Sequence, residues 1–384
     1  QLSLMPQTHY CHLLYYINYS EMKPFKSRIL MIAPLPPPVH GSAMMTQYIK
    51  DSAIINENVD MDWINLSTSR SMDEIGKQNP NKIVRFILSY IKTLWKLSTR
   101  RYDKCYLAIT CHGKGFLKDA PFALLCKLFR KPIIIHQHNK GMSRYTDKPL
   151  YRPLLKAVYK DASVILLSEK LYNDISQIVI KKQIQICPNG IPDTAPRGRT
   201  PLNSVPNILF LSNLMESKGV WDLLDACKIL KEQGYNFRCK FVGGETKEID
   251  KERFNQGIEI RSLTDTVVYL GRKYGTEKEH ILNSSDIFVF PTYEDCFPLV
   301  LLEAMQAHLP IISTDEGGIT DIITDKITGL ITNKHDAHSL ANNIATLLDS
   351  PELRTKLGEA AYKDFLTRFT IRKFEERIEE LLVM

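Results

Sequence analysis

Short apolar runs alternate with longer amphipathic stretches along this chain. In the first half the runs lie at 28–33, 61–66, 104–110, 132–138, 162–168 and 183–187, with helical periodicity near 42–52, 81–100, 116–130, 149–160 and 169–179. A β-α-β-α rhythm implies a parallel sheet covered on both faces. Ile133-Ile134-Ile135 and Val164-Ile165-Leu166-Leu167 are unbroken runs, as expected of strands buried on both sides. The rhythm pauses at Pro188-Asn189-Gly190-Ile191-Pro192-Asp193 and the polar, proline-rich stretch to Pro206. It restarts with runs at 207–211, 237–242, 266–270, 286–290, 310–314 and 329–331. Helices are expected near 217–233, 247–258, 276–284, 298–308, 335–349 and 351–382.

The fold class expected is α/β, two doubly wound Rossmann-like domains facing across a cleft. The first spans 22–190, a linker 191–206, the second 207–368, and a C-terminal helix, 369–384, packs back on the first. Ligands of open parallel sheets bind beyond the carboxyl ends of the strands, so two such sheets share one cleft. Residues 1–20 lack Lys, Arg, Asp and Glu and have no basic n-region, and residues 1–21 are expected to form a leader outside the fold.

Composition adds three points. With 384 residues, 44% apolar and 24% charged, the chain is ordinary globular material, and no run approaches the ~18 apolar residues of a membrane span. The eight cysteines form no C-x-x-C pair and read as buried thiols of a reducing compartment. The net charge of +7 is uneven: residues 1–200 hold 29 Lys and Arg against 14 Asp and Glu, a net +15, and the remainder carries −8. Opposite charges imply different partners for the two halves.

The most informative stretch is Phe288-Val-Phe-Pro-Thr-Tyr-Glu-Asp-Cys-Phe-Pro-Leu-Val-Leu-Leu-Glu303. A buried strand meets an acidic loop, and Pro298 suits a first helical turn, having no N–H to orphan there. Helix N-termini favour anions, so a pyrophosphate fits against this turn while carboxylates accept bonds from sugar hydroxyls. Alternatively, Glu294 and Asp295 only cap the helix and Glu303 is a solvated acid. Lys218 sits at another strand-to-helix turn, where it either meets a phosphate or starts a helix in solvent. Arg272 and Lys273 follow the strand ending at Leu270. Gly41, after a proline-rich loop, lets a ligand approach backbone at a helix start or simply makes a turn. His136 and His138 share one side of a strand end, and no third ligand at sensible spacing makes a metal site. No G-x-G-x-x-G, P-loop or kinase signature is present.

These stretches resemble a retaining glycosyltransferase of family four with the two-domain GT-B fold. The E-x7-E signature is matched by Asp295 to Glu303 and the residues to Pro310. Ser217-Lys218-Gly219, Pro188-Asn189-Gly190, Gly243-Gly244, Gly317-Gly318 and the Gly41 loop support it. The resemblance implies that Glu303 holds ribose hydroxyls, Asp295 the donor sugar, and Lys218 the diphosphate, with Gly41 close to it. His138 would stand near the anomeric carbon. It counts His138, Asp295, Glu303 and Lys218 as catalytic, and Gly41, Asn213, Lys218, Arg272, Phe297, Leu299 and Glu303 as donor-binding. The signature's first acid is Asp295 where glutamate is usual, with Glu294 beside it. Asn213 stands where the family commonly puts a phosphate-binding arginine, a role Arg272 could fill.

The implied reaction moves a sugar, with retention and without a metal, from a nucleotide sugar to a glycan or lipid-linked acceptor in cell-surface polysaccharide or lipopolysaccharide synthesis. A UDP-sugar is the expected donor, and no separate cofactor or nucleic acid is called for. The alternatives are a catalytically silent nucleotide-sugar-binding scaffold and a nucleotide-sugar epimerase. The expected location is cytoplasmic, peripheral on the inner face of the membrane. Residues 82–101 carry Lys82, Arg85, Lys92, Lys96, Arg100 and Arg101, and Ile83, Phe86 or Ile87, Tyr90 or Ile91, and Leu94 line up as an apolar stripe. The simplest reading buries that stripe on the helix's own sheet and leaves a basic face able to attract anionic lipid.

Overall fold

The computed structural model describes residues 26–69, 74, 80–194 and 203–384. The leader expected at 1–21 and residues 195–202 of the linker lie outside them. Two six-stranded sheets carry the fold, and their strand pairings are parallel. The first holds β1 (Ser27–Ala33), β2 (Val59–Asn65), β3 (Lys104–Leu107), β4 (Ile133–Gln137), β5 (Ser163–Leu166) and β6 (Ile184–Ile186), in the order β2-β1-β3-β4-β5-β6. The second holds β7 (Asn207–Leu211), β8 (Arg238–Val242), β9 (Val267–Tyr269), β10 (Ile287–Phe290), β11 (Ile311–Thr314) and β12 (Gly329–Thr332), in the order β12-β11-β10-β7-β8-β9. All residues of β4, β7, β10 and β11 are buried, because helices cover both faces.

The first sheet is covered by α1 (Gly41–Asp51), α2 (Ala53–Asn58), α3 (Pro80–Thr99), α4 (Gly113–Leu128), α5 (Tyr151–Tyr159) and the short α6 (Tyr172–Ile175). The second is covered by α7 (Val220–Glu232), α8 (Lys251–Ile260), α9 (Gly275–Asn283), α10 (Leu299–Gln306), α11 (Ile319–Ile322), α12 (Ala337–Asp349) and α13 (Pro351–Arg368), and α14 (Ile371–Val383) closes the chain. Seven cysteines, from Cys105 to Cys296, are buried and free.

Four differences from the expected elements have physical causes. The single helix read over 351–382 is two. Thr370 is extended and caps α14, while Ile191 N–H donates to the Phe369 carbonyl and Ile371 N–H to that of Ile191, at 3.0 and 2.6 Å. The chain thus crosses back at the linker, and α14 packs on α1 and α2 of the first domain. β3 ends at Leu107, not at 110, because the Thr110 amide is taken by Asp119 Oδ2 at 3.0 Å. The helix read over 169–179 is a 3-10 turn followed by α6.

The fourth difference concerns α3. Phe86 and Tyr90 turn inward and meet the Phe122 ring edge-on, each with centroids 5.6 Å apart, and Thr93 and Leu97 are buried beside them. Lys96 is buried against Asp62. Ile83, Ile87, Ile91 and Leu94, expected on the sheet, therefore face solvent.

Candidate active site

The strand order of the second sheet reverses between β7 and β10, so the loops leaving these two strands splay to either side and open a crevice. Backbone bonds stitch the two loops together: Tyr293 N–H and the Thr292 hydroxyl both donate to the Ser217 carbonyl at 3.0 Å. Gly219 makes this approach possible. Its φ of +74° is left-handed, and a Cβ there would stand 2.2 Å from the Pro291 carbonyl oxygen. Ser217-Lys218-Gly219 is thereby held against the acidic loop, and Lys218 Nζ donates to Asp295 Oδ2 at 2.8 Å and to the Glu294 carbonyl at 2.7 Å.

The two neighbouring acids part company. Asp295 pairs with Lys218, and its other oxygen accepts from Cys296 N–H at 2.8 Å. Glu294 reaches across the cleft to Arg144 at 3.1 Å. Beyond them α10 begins with Pro298 as its N-cap, one residue before the position expected for it inside the helix, and no side chain caps the first amides. Leu301 N–H turns back to the Pro298 carbonyl at 3.2 Å, which leaves the Leu299 and Val300 amides as the donors at the positive end of a helix dipole.

Glu303 lies on α10 with Oε1 accepting from Lys278 Nζ at 2.7 Å, while Oε2 is buried without a partner. A buried carboxylate oxygen in that state has unused capacity for a hydroxyl donor. Its charge reaches the first domain: after burial itself, Glu303 is the second cause holding Tyr48 above the usual phenol pKa.

Asn213 and Arg272 converge on one glycine. Asn213 Oδ1 accepts from Gly244 N–H at 3.0 Å, so this amide shapes the loop after β8. The Arg272 guanidinium lies directly over the same Gly244, where a Cβ would come within 2.2 Å of it. Arg272 has no ion pair or hydrogen bond among the described residues and is a free, exposed cation at this edge. Phe297 is buried in a T-shaped contact with Phe369, centroids 6.0 Å apart, and packs the base of the loop.

On the opposite wall Gly41 opens α1. His40 caps that helix, its Nδ1 accepting from Ala43 N–H at 3.4 Å and lying 3.1 Å from Ser42 Oγ. A Cβ on Gly41 would meet Leu299 Cδ1 at 3.9 Å, so the starts of α1 and α10 face each other across the domains. His138 follows β4, and its Nε2 is buried and unpartnered. Burial, then the neighbouring His40, pushes its pKa down to about 3, which keeps the ring neutral. The His136 ring lies tilted beside it, centroids 4.0 Å apart, and is buried in the core, bonded to the Tyr106 hydroxyl at 2.7 Å. His138, His40, Ser42 and the loop 66–69 line a polar cavity of about 250 Å³ that also holds Lys118 and the buried Asp119.

The structure thus brings Lys218 to Asp295, Gly41 to Leu299, and Asn213 and Arg272 to Gly244. No hydrogen bond or ion pair among the described residues joins His138 to the second domain, and Phe297 serves packing. Lys278, Glu316, Tyr48 and Asp119 escaped the sequence reading. Glu316 is buried between Lys140 of the first domain and Lys334, and its Oε1 accepts from Asp295 N–H at 3.3 Å. Its place just past β11 and before Gly317-Gly318 was the one local signal; Lys278 is an unremarked helical lysine.

Residues 197–364 match the family described as glycosyl transferases group 1. That match falls on the second domain. Among curated proteins the chain is similar to the capsular polysaccharide biosynthesis glycosyltransferase CapM of Staphylococcus aureus, 25% identical over 172 residues, and to the putative colanic acid biosynthesis glycosyltransferase WcaL of Escherichia coli, 31% identical over 164. These matches cover 45% and 41% of this chain and span only 44% and 40% of those relatives' length. Among solved structures, Anabaena HepE in complex with UDP-glucose matches with a TM-score of 0.69 at 17% identity, covering 92% of this chain and 99% of that one. At that identity the likeness establishes the fold, a two-domain GT-B architecture in which the matched residues form the second domain.

Proposed function

We propose that the chain transfers a sugar, with retained anomeric configuration, from a nucleotide-sugar donor to a glycan or lipid-linked acceptor used in cell-surface polysaccharide assembly. The observation that carries this reading is the pairing of Lys218 with the acidic loop beside the uncapped start of α10, with Gly41 opposite. Departure of a nucleoside diphosphate develops negative charge. Lys218, the free Arg272 and the α10 amides would meet that charge as it forms, without a metal. The Lys218–Asp295 bond would open as the diphosphate arrives, leaving Asp295 for donor-sugar hydroxyls.

Glu303 Oε2 would accept from a ribose hydroxyl, with Lys278 holding the other oxygen. Neutral His138 would hydrogen-bond the sugar near its anomeric carbon, and the polar cavity beside it would take the acceptor. A UDP-sugar is the expected donor, in keeping with HepE, whose structure holds UDP-glucose.

The test is incubation with a panel of nucleotide sugars, following free nucleoside diphosphate and the anomeric signals of sugar and product by NMR. Release of diphosphate with an α-configured product from an α-configured donor is expected. Binding without release would replace this reading by a silent donor-binding module, and isomerised donor by an epimerase.

A further inference from the structure

The outward side of α3 is an apolar surface that no part of the described structure covers. Ile83, Val84, Ile87, Leu88, Ile91 and Trp95 are 48–63% exposed, and Leu94 joins them. At ~100° per residue they fill one continuous arc of about 140° over four turns, opposite the side packed on α4. Single exposed apolar residues are unremarkable, but a contiguous face of this length marks an interaction site.

Charge decides the occupant. Residues 80–101 contain six lysines and arginines and no acid, and the domain carries most of the +15 excess. Lys92, at the margin of the arc, and Arg101, past the end of the helix, have no ion pair among the described residues. Trp95 lies on the arc with the Arg100 guanidinium 5.5 Å from its ring centroid. An apolar face bordered by free cations and an amphipathic aromatic fits the boundary between acyl chains and anionic headgroups.

We infer that α3 lies flat on an anionic bilayer, with the Ile87–Ile91 face inserted among the acyl chains and Lys92 at the headgroups. The helix is also tied to the cavity beside His138. Arg85 Nη1 donates to the Thr68 carbonyl at 2.6 Å, Ser89 Oγ to that of Asn65 at 3.3 Å, and Thr68 lines the cavity. Arg85 and Ser89 lie off the exposed arc, on the inner side of the helix, so docking of that arc holds the rim of the cavity about one helix diameter from the membrane surface, within reach of a lipid-borne acceptor.

Flotation of the full chain with phosphatidylcholine vesicles, with and without phosphatidylglycerol, tests this at low salt and at ~1 M, where screening acts within ~3 Å. No donor is needed, so the result is separate from that of the transfer reaction. The chain should run as a monomer and bind anionic vesicles at low salt, with a part of the binding surviving ~1 M because apolar insertion is not screened. Ile87→Ser with Ile91→Ser should lower partitioning at both salts by at least about tenfold with the melting temperature unchanged. Lys92→Glu should weaken binding at low salt only. Absence of binding at low salt overturns the proposal, as does equal binding by the double variant. A dimer that the double variant breaks would assign the face to a second copy, and binding that appears only after removal of residues 1–25 would assign it to that segment.

Discussion

At the scale of single residues, two side chains share Gly244 in different ways. Asn213 is already engaged by a backbone amide, whereas Arg272 is free, so under the proposed function Arg272 is the cation that would meet a diphosphate. Arg272→Ala should weaken nucleoside diphosphate binding about tenfold, the worth of one charge-assisted contact. Asn213→Arg should lower stability without tightening binding; calorimetry of UDP binding to both variants decides the matter. His138 yields a pH prediction. Its pKa of about 3 in the fold lies below the 6.5 of an unperturbed imidazole. Between these values the unfolded chain holds the extra proton, so the folded state loses stability as pH falls from 6.5 toward 3. His138→Gln should flatten the fall of melting temperature between pH 7 and 5; a slope unchanged from the parent would contradict it.

At the scale of elements, the strands and most helices were legible because runs buried on both faces and amphipathic periods are local properties. Ser217-Lys218-Gly219 was legible as a strand-to-helix turn. Its attachment to Pro291 was not, because strand order, not local sequence, makes β7 and β10 neighbours. The boundary at 368 was drawn between domain and C-terminal helix, but the periodicity over 351–382 runs through it, because the break at Thr370 follows from bonds to Ile191, far away in the chain. On α3 two apolar arcs compete, and the rings of Phe86 and Tyr90 against Phe122 choose between them, a packing fact that periodicity alone does not contain. Gly219→Ala tests the loop junction. Strain at positive φ and the collision with Pro291 should cost about 1–3 kcal/mol and pull Lys218 from Asp295. A melting temperature and diphosphate release equal to the parent's would show that the two loops are not locked together.

At the scale of the molecule, the candidate site belongs to neither domain alone. The domains are joined at Lys140–Glu316, Arg144–Glu294 and Ser168–Asp321, and the starts of α1 and α10 face each other between these contacts. Gly41 leaves ordinary contact distance to Leu299, so a larger side chain there would fill the space assigned to the diphosphate. Gly41→Leu should raise the Kd for UDP at least about tenfold while the melting temperature stays within a few degrees of the parent, which differential scanning fluorimetry and calorimetry together measure.

On the proposed function, Lys218 and Glu303 meet a nucleotide-sugar donor at the edge of the second sheet. The most direct test is the rate of nucleoside diphosphate release from the best nucleotide sugar, compared among the parent chain, Lys218→Ala and Glu303→Gln, each checked for native circular dichroism. The parent should turn over, and each variant should be slower by roughly ten- to a hundredfold, about 1.5–3 kcal/mol of lost interaction. Parent-like release by both variants would contradict the account.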